Sequence, residues 1–403
     1  MSDRPPPRDA AMSNATPRDM TEPGVPPQRP ILALESSCDD TCAAILDARG
    51  RALSNVISSQ GVHDRYGGVV PEIASRHHLE LVNLVVSQAL AQAGVGLDDI
   101  GLVAATQGPG LVGALLVGFS TAKALAAARE LPFAPVDHLQ GHVAANFVLP
   151  DAPDEHPRLS SARSASSDPD VSTVVRSGLP ARKAFEPPFV CLIASGGHTL
   201  LTHVTEHHGY RVLGRTLDDA AGEAFDKGAR MLGLGYPGGA ALERLADGGD
   251  PHAYAFPGSA TERARGGKGT SRQAFEQGLD FSFAGLKTAL LYRLRELPAA
   301  EIEERASDLA ASYQAAIIDS LIERCERGLQ ETGLDRLTLG GGVAANGELR
   351  RRLGALGVSV HVPPRALCTD NAAMIASAAR YTRSLPYPRY LGLDAYATGE
   401  RPL

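Results

Sequence analysis

Residues 31–46 read ILALESSCDDTCAAIL, and residues 189–204 read FVCLIASGGHTLLTHV. Each stretch is an apolar run, a polar turn and a second apolar run, which is the pattern of two strands joined by a short turn. The two units begin 158 positions apart and share little sequence, so they indicate a duplicated topology rather than a duplicated sequence. We therefore expect two sheets, each built around one such hairpin.

The rest of the chain alternates strand-like and helix-like segments. Strands are predicted at about 100–106, 133–137, 335–339 and 358–362, and helices at about 72–93, 113–129, 218–233, 237–247, 303–331, 343–356 and 370–382. Strands that alternate with helices predict α/β units whose sheets are at least partly parallel. The simplest arrangement is two α/β lobes with a cleft between them.

Low-complexity stretches divide the chain. Residues 1–29 hold seven prolines and are predicted to be a disordered tail, and residues 151–186, with seven serines and four prolines, are predicted to be a low-complexity insertion. The first lobe would span 30–150 and be rejoined by the C-terminal helical segment 371–403. The second lobe would span 187–370.

Composition narrows the class of protein. The chain has 403 residues, 43 % hydrophobic and 21 % charged, which excludes a disordered or fibrous chain. Five scattered cysteines fit a reducing compartment, and the longest apolar run, 110–119, is far short of the ~20 residues of a membrane span. We expect a soluble, cytoplasmic protein that does not contact a membrane. The net charge of −7 argues against indiscriminate nucleic-acid binding but allows a local basic face.

The segment DHLQGH at 137–142 places His138 and His142 four residues apart; if the segment is helical, both lie on one face about one turn apart, a spacing suited to two ligands of one metal ion. The alternative is a pair of polar histidines without a ligand. A zinc protease of the usual type would need Glu after the first histidine, where Leu139 stands. Asp370, at the start of a predicted helix, is the best third ligand, although it could be a plain helix cap.

Four glycine-rich turns follow strands and could cradle anions, at 107–110, 195–198, 236–239 and 340–342. None matches the dinucleotide fingerprint or the Walker A pattern. The 35–41 turn carries hydroxyls and carboxylates suited to a leaving phosphate or to proton transfer. The adjacent pairs His77-His78 and His207-His208 are interpreted as surface residues.

These motifs together resemble the universal tRNA N6-adenosine threonylcarbamoyltransferase family, over about residues 30–383. The matching stretches, in order, are LESSCDDT (34–41), GGVVPEIASRHHL (67–79), TQGPGLVGALLVG (106–118), HLQGH (138–142), ASGGHT (194–199), DDAAGEAFDKGARMLGLGYPGG (218–239), DFSFAGLKT (280–288), GGGVAAN (340–346) and CTDNAAMI (368–375). One such motif would be weak, but nine in the same order are specific.

The resemblance implies the two-lobed actin-like, sugar-kinase-like ATPase fold, an α/β architecture with a duplicated five-stranded sheet and nucleotide in the cleft. It also implies one Fe²⁺ per subunit, with Zn²⁺ or another divalent metal as the alternative, held by His138, His142 and Asp370. Asp39 is a candidate for proton transfer. The residues implied to bind threonylcarbamoyl-adenylate are Ile193, Ala194, Ser195, Gly196, Gly197, Asp226, Gly239 and Asn346.

The implied reaction moves the threonylcarbamoyl group onto N6 of the adenosine at position 37, just 3′ of the anticodon, in tRNAs that read codons beginning with A, and releases AMP. The implied partners are tRNA, an inactive paralogue subunit and a small ATPase subunit. The basic stretches 263–272 and 350–352 are candidates for phosphate contact. The alternative function is a small-molecule kinase of the same architecture, which would not need the histidine pair.

Overall fold

The computed structural model describes residues 27–149, 185–258 and 278–398. Most of the predicted tail at 1–29, most of the predicted insertion at 151–186 and the basic stretch 263–272 lie outside these ranges. Within them, none of the helices has the length and apolarity that crossing a membrane would require.

The first sheet is built from the N-terminal hairpin and its neighbours. Its strands are β1 (Ile31–Glu35), β2 (Asp40–Leu46), β3 (Ala52–Ser59), β4 (Leu102–Gly108) and β5 (Phe133–Asp137). Their order across the sheet is β3-β2-β1-β4-β5, with β1, β2 and β3 antiparallel and β4 and β5 parallel to β1.

The second sheet repeats this plan. Its strands are β6 (Phe189–Ala194), β7 (Thr199–Glu206), β8 (Gly209–Arg215), β9 (Arg336–Gly340) and β10 (Ser359–His361). The order is β10-β9-β6-β7-β8, again with three antiparallel strands followed by two parallel ones. The prediction of two sheets, each built around a hairpin, is confirmed.

Helices cover both sheets. They are α1 (Pro71–Ala93), α2 (Val112–Ala127), α3 (His138–Ala144), α4 (Ala221–Met231), α5 (Gly238–Ala246), α6 (Ala284–Glu296), α7 (Ala299–Glu304), α8 (Ala306–Thr332), α9 (Gly347–Leu353) and α10 (Ala372–Ala379). Short 3₁₀ turns lie at Gly61–Tyr66, Leu97–Asp99, Ala145–Phe147, Gly342–Ala345, Arg365–Leu367 and Arg389–Gly392.

The period-two pattern of β1 determines what packs on each face of the first sheet. Leu32 and Leu34 point to the side of α1 and α2, whereas Ile31 and Ala33 point to α10. The cluster around α10 also contains Phe189 and other residues of the second sheet. Because α3 and α10 lie in this shared apolar layer, the side chains at their N-termini lie between the two sheets.

The helical prediction at 303–331 is corrected by the structure. The chain has the short helix α7, then the long helix α8, with Arg305 between them at φ −104° and ψ 15°, outside helical geometry. The predicted helix at 343–356 is likewise a 3₁₀ turn followed by α9. Strands β3 and β8 and the helices α3 and α6 were not predicted as elements: β8 is largely exposed, α3 has only seven residues, and the periodicity of all four is weak.

Candidate metal centre

Helix α3 carries the two histidines that the sequence singled out. It begins directly after β5, where the Asp137 side chain accepts hydrogen bonds from the backbone N–H groups of Leu139 (2.9 Å) and Gln140 (3.0 Å). This cap fixes the start of the helix. His138 and His142 therefore lie one turn apart, with ring centroids 4.7 Å from each other, and both are buried.

The third predicted ligand comes from the far end of the chain. Asp370 immediately precedes α10, whose start is capped by Asn371 accepting the Met374 N–H at 2.9 Å. One Asp370 oxygen, Oδ1, lies 3.3 Å from His142 Nε2 and 3.7 Å from His138 Nε2. The ligand atoms of the three residues lie within 4.8 Å of one another, so this group could hold a metal ion.

The state of His142 tests whether a cation fits this group. The side chain is completely buried, and neither of its ring nitrogens makes a hydrogen bond within the part of the chain that the structure describes, although Nε2 is close to the Asp370 carboxylate. A buried imidazole without a partner is costly. A divalent metal bound by two imidazole nitrogens and a carboxylate would satisfy it, and this donor set suits iron or zinc better than magnesium or calcium.

Glu35 completes the surroundings of His138 and was not identified from the sequence. Its Oε2 accepts the His138 Nδ1–H at 3.0 Å and the Thr106 hydroxyl at 2.6 Å, and its Oε1 accepts the Ser37 N–H at 2.5 Å. A carboxylate on the far nitrogen of a metal-binding histidine fixes the ring and its tautomer. The signal in the sequence was a charged residue at the end of an apolar run, and Glu35 is buried together with the rest of β1.

Burial and charge act against each other in this group. Burial lowers the pKa of His138, but the charges of Glu35 and Asp370 outweigh it and raise the pKa to about 9. Burial raises the pKa of Glu35 and of Asp370, yet the nearby histidines lower both below their usual values. Without a metal, the group is therefore two carboxylates around a protonated imidazole.

Metal affinity is expected to depend steeply on pH. A proton on His138 Nε2 must leave before that atom can bind a cation, and it stays bound up to a pKa of about 9. The apparent association constant for Zn²⁺ should thus rise about tenfold per pH unit from pH 6 to 8 and level off above pH 9. Competition with a chromophoric chelator measures it, and an affinity independent of pH would contradict a protonated His138 in the metal-free protein.

The glycine turn after β6 lies next to the two histidines. Ser195 donates its N–H to the His198 carbonyl at 2.8 Å, and its own carbonyl accepts the Gly222 N–H at 3.0 Å. A Cβ on Gly222 would lie 2.6 Å from the Ser195 oxygen, so the residue has to be glycine for α4 to approach the turn this closely. Burial, with the charges of His138 and His142, lowers the pKa of His198 to about 4, and its ring lies 6.2 Å from that of His138.

Asp226 and Gly239, which the resemblance assigned to the adenylate, lie together beside this turn. Asp226 Oδ1 accepts the backbone N–H groups of Gly238 (2.8 Å) and Gly239 (3.2 Å), which leaves Oδ2 as the oxygen that can face a ligand hydroxyl. Burial raises the pKa of Asp226, and the charge of Asp39 adds to this shift across the cleft.

Asn346 has a structural task in addition to any binding. Its side chain accepts the Leu349 N–H at 2.9 Å, which caps α9, and donates to Gln314 at 2.9 Å. Contact with a ligand would therefore use its backbone or a rearranged side chain. The neighbouring Arg350 donates to the carbonyls of Ala344 and Pro363, while the next two arginines pair with Glu348 and Asp319. The structure does not favour 350–352 as a phosphate site.

The β1–β2 turn places Asp39 near the group. Burial raises the pKa of Asp39, and the charge of Asp370 acts in the same direction. The interpretation of His78 as a surface residue is wrong, because the side chain is completely buried under this turn. Its Nε2–H donates to the Cys38 carbonyl at 3.0 Å and its Nδ1 accepts the Thr41 hydroxyl at 2.7 Å, so it supports both ends of the turn.

Comparison with solved structures supports the architecture. The HypF protein of T. kodakarensis superposes with a TM-score of 0.52 at 13 % identity, covering 88 % of this chain and 48 % of that one. A full-length HypF in a phosphate- and nucleotide-bound form gives 0.50 at 13 % identity, covering 90 % and 56 %. With the two repeated sheets, this places the chain in the two-lobed actin-like, sugar-kinase-like ATPase fold.

Comparison of sequences identifies the family. The family model described as tRNA N6-adenosine threonylcarbamoyltransferase matches residues 51–168 and 171–377. A protein of that name from Pelobacter propionicus is 44 % identical over 91 % of this chain and 96 % of its own length. One from Symbiobacterium thermophilum is 46 % identical over 87 % and 91 %. The repeated sheets, the His/His/Asp group and these similarities lead to one conclusion: the chain belongs to the tRNA N6-adenosine threonylcarbamoyltransferase family.

Proposed function

We propose that this protein transfers the threonylcarbamoyl group of threonylcarbamoyl-adenylate to N6 of adenosine 37 in tRNAs that read codons beginning with A, and releases AMP. The observation that carries the proposal is the similarity to transferases of this name along nearly the whole chain. The group of His138, His142 and Asp370 is the chemical feature that such a reaction can use. Nothing in the comparisons favours the alternative of a small-molecule kinase.

The group is proposed to hold one Fe²⁺ per subunit, with Zn²⁺ or another divalent metal as the alternative. His138 and His142 would bind through Nε2 and Asp370 through its carboxylate. When bound, such a cation polarises and orients a carbonyl oxygen. Glu35 holds the His138 ring through Nδ1, so that Nε2 keeps its direction.

The adenylate is proposed to lie along the turn from Ile193 through Ala194, Ser195, Gly196 and Gly197, with Asp226, Gly239 and Asn346 on its nucleoside side. Backbone N–H groups of this turn can stabilise the negative charge that grows on the departing phosphate. As the bond from N6 to the carbonyl carbon forms and the bond from that carbon to the phosphate oxygen breaks, N6 must lose a proton. Asp39 is the proposed acceptor, because its raised pKa makes it a stronger base.

The setting of the enzyme is proposed from the same family resemblance. We infer a cytoplasmic protein that works with tRNA, an inactive paralogue subunit and a small ATPase subunit. The chain is proposed to form a first lobe from 30–150 and 371–403 and a second lobe from 187–370.

Transfer of label from ¹⁴C-threonine to unmodified tRNA tests the proposed function. The reaction contains ATP, bicarbonate, an enzyme that makes the adenylate, the companion subunits and this protein, and the tRNA is digested to nucleosides. We expect the label in a modified adenosine only with tRNAs that read codons beginning with A. Label in none of the nucleosides, with phosphorylation of a small hydroxyl compound instead, would refute the proposal.

A further inference from the structure

A cavity lies beside the candidate metal centre, and neither Asp226 nor Gly239 is among the residues that line it. It has a volume of about 970 Å³, within the range of small-molecule sites, and lies between the two lobes. Its lining includes Asp137, which precedes the first histidine, and the Gly197–His198 peptide. A molecule in this cavity would therefore lie beside the helix that carries the two histidines and against Gly197, the last residue of the turn proposed to bind the adenylate.

One wall of the cavity is a face of the β7–β8 hairpin, and a β-bulge decides which side chains point into it. Val212 lies opposite Thr202, but Gly214 lies opposite Leu201, so Leu213 is an extra residue in β8. The bulge shifts the alternation of β8 side chains between the two faces of the hairpin by one residue. Arg215 consequently lies opposite Leu200. Leu200, whose neighbours include the first-lobe helices, faces the first lobe.

The same register places Arg211 on the other face of the hairpin. Arg211 lies opposite His203, whereas Tyr210, Val212 and Arg215 share the face of Leu200 and line the cavity. Without the bulge, Arg211 and Arg215 would be four residues apart on one face. The bulge thus gives the cavity a cation that the regular strand would have pointed away from it.

The opposite wall belongs to the first lobe and is held rigidly. Tyr396 lies across the loop after β4, with its N–H donating to the Gln107 carbonyl at 3.1 Å. Its hydroxyl lies 2.9 Å from both the Gly108 carbonyl and the Asp137 carboxylate. Since Asp137 caps α3, the ring of Tyr396 is fixed relative to the helix that carries the two histidines.

We propose that this cavity admits the acceptor nucleotide of the tRNA. The base enters past Tyr396 toward the metal centre, and Arg215 binds a flanking phosphate. The proposal rests on the proposed transferase function. A base turned out of a loop is typically held by stacking on aromatic rings and by cations on its phosphates. Arg215 is exposed and lines the cavity together with Asp280, whose carboxylate accepts the Arg215 backbone N–H at 2.9 Å, and Val212 leaves 41 % of its surface exposed in the same wall. The cavity therefore offers an apolar surface, an aromatic ring and an available cation.

Two charge reversals on one strand test the proposal. Arg215→Glu is expected to raise the KM for tRNA at least about tenfold and to reduce the slope of log KM against log salt by about one, the loss of one phosphate contact. Arg211→Glu makes the same charge change on the opposite face, and its KM should stay within about twofold of the unaltered protein. Equal effects of the two variants, or no effect of Arg215→Glu, would overturn the assignment.

A second variant tests whether the open space of the cavity, independently of its charge, is needed for transfer to tRNA. Val212→Trp should fill the wall and lower transfer to tRNA at least about tenfold, while the Kd for the adenylate in the absence of tRNA stays unchanged. Thermal melting of each variant separates these effects from misfolding. Loss of adenylate binding in Val212→Trp would instead place the cavity on the donor side and refute the inference. Absence of transfer by the unaltered protein refutes the proposed function itself, which distinguishes the two failures.

Discussion

Replacing His142 by alanine is expected to abolish metal binding and to lower threonylcarbamoyl transfer at least about a hundredfold. His142 is completely buried, and its Nε2 lies 3.3 Å from Asp370 Oδ1. Removing the ring leaves two of the three ligands and a cavity beside a carboxylate. The contribution of a bound cation to carbonyl chemistry is several kcal/mol, so its loss alone accounts for about two powers of ten or more in rate. Metal analysis of the purified variant and the tRNA assay measure the two effects.

The matched control is His208→Ala. His208 is a half-exposed histidine that pairs with Glu206 in the β7–β8 turn, away from the three ligands. It should keep both metal and activity. Separate His138→Ala and Asp370→Ala variants should behave as His142→Ala does. Full transfer activity in all three variants would show that the group is not a metal site used in the reaction.

The sequence predicted the parts of the fold that depend on local pattern. The two hairpins, at β1–β2 and β6–β7, are buried apolar runs around polar turns, and both are confirmed with their parallel neighbours. The pairing of β7 with β8 was not predictable, because its register depends on an extra residue at Leu213 that no composition rule reveals. The break at Arg305 was missed for a similar reason, since the helical period continues through it.

The sequence located the candidate ligands but not their support. His138 and His142 stand out by spacing, and Asp370 by its place before a helix. Glu35 and His78 do not stand out in the sequence, because a single charged or polar side chain at the end of a strand or packed against one leaves no periodic pattern. Their importance appears only when chain segments about a hundred residues apart, such as Glu35 and His138, meet. Contacts between residues so far apart along the chain cannot be predicted from a single sequence.

Replacing Gly341 by alanine is expected to destabilise the protein by about 3–5 kcal/mol, as the sum of two costs. The residue has φ +85°, in the left-handed region that a side chain disfavours. A Cβ there would also lie 2.3 Å from the Ala194 carbonyl oxygen and 2.6 Å from its carbon. Both are backbone atoms of β6, which is paired on both sides, with β7 and β9, so they cannot move aside.

The clash falls on the strand end that leads into the Ser195–His198 turn, so loss of stability and of adenylate binding should appear together. Gly357→Ala is the matched control, since Gly357 has φ +74° but open space where the Cβ would lie. It should cost only about 1–2 kcal/mol, the backbone contribution alone. Denaturant unfolding of both variants measures the difference. If Gly341→Ala were no more destabilising than Gly357→Ala, β6 and the 340–342 turn would be able to move apart to make room for the Cβ. The turn proposed to bind the adenylate would then not be held rigidly by this contact, which would contradict the prediction.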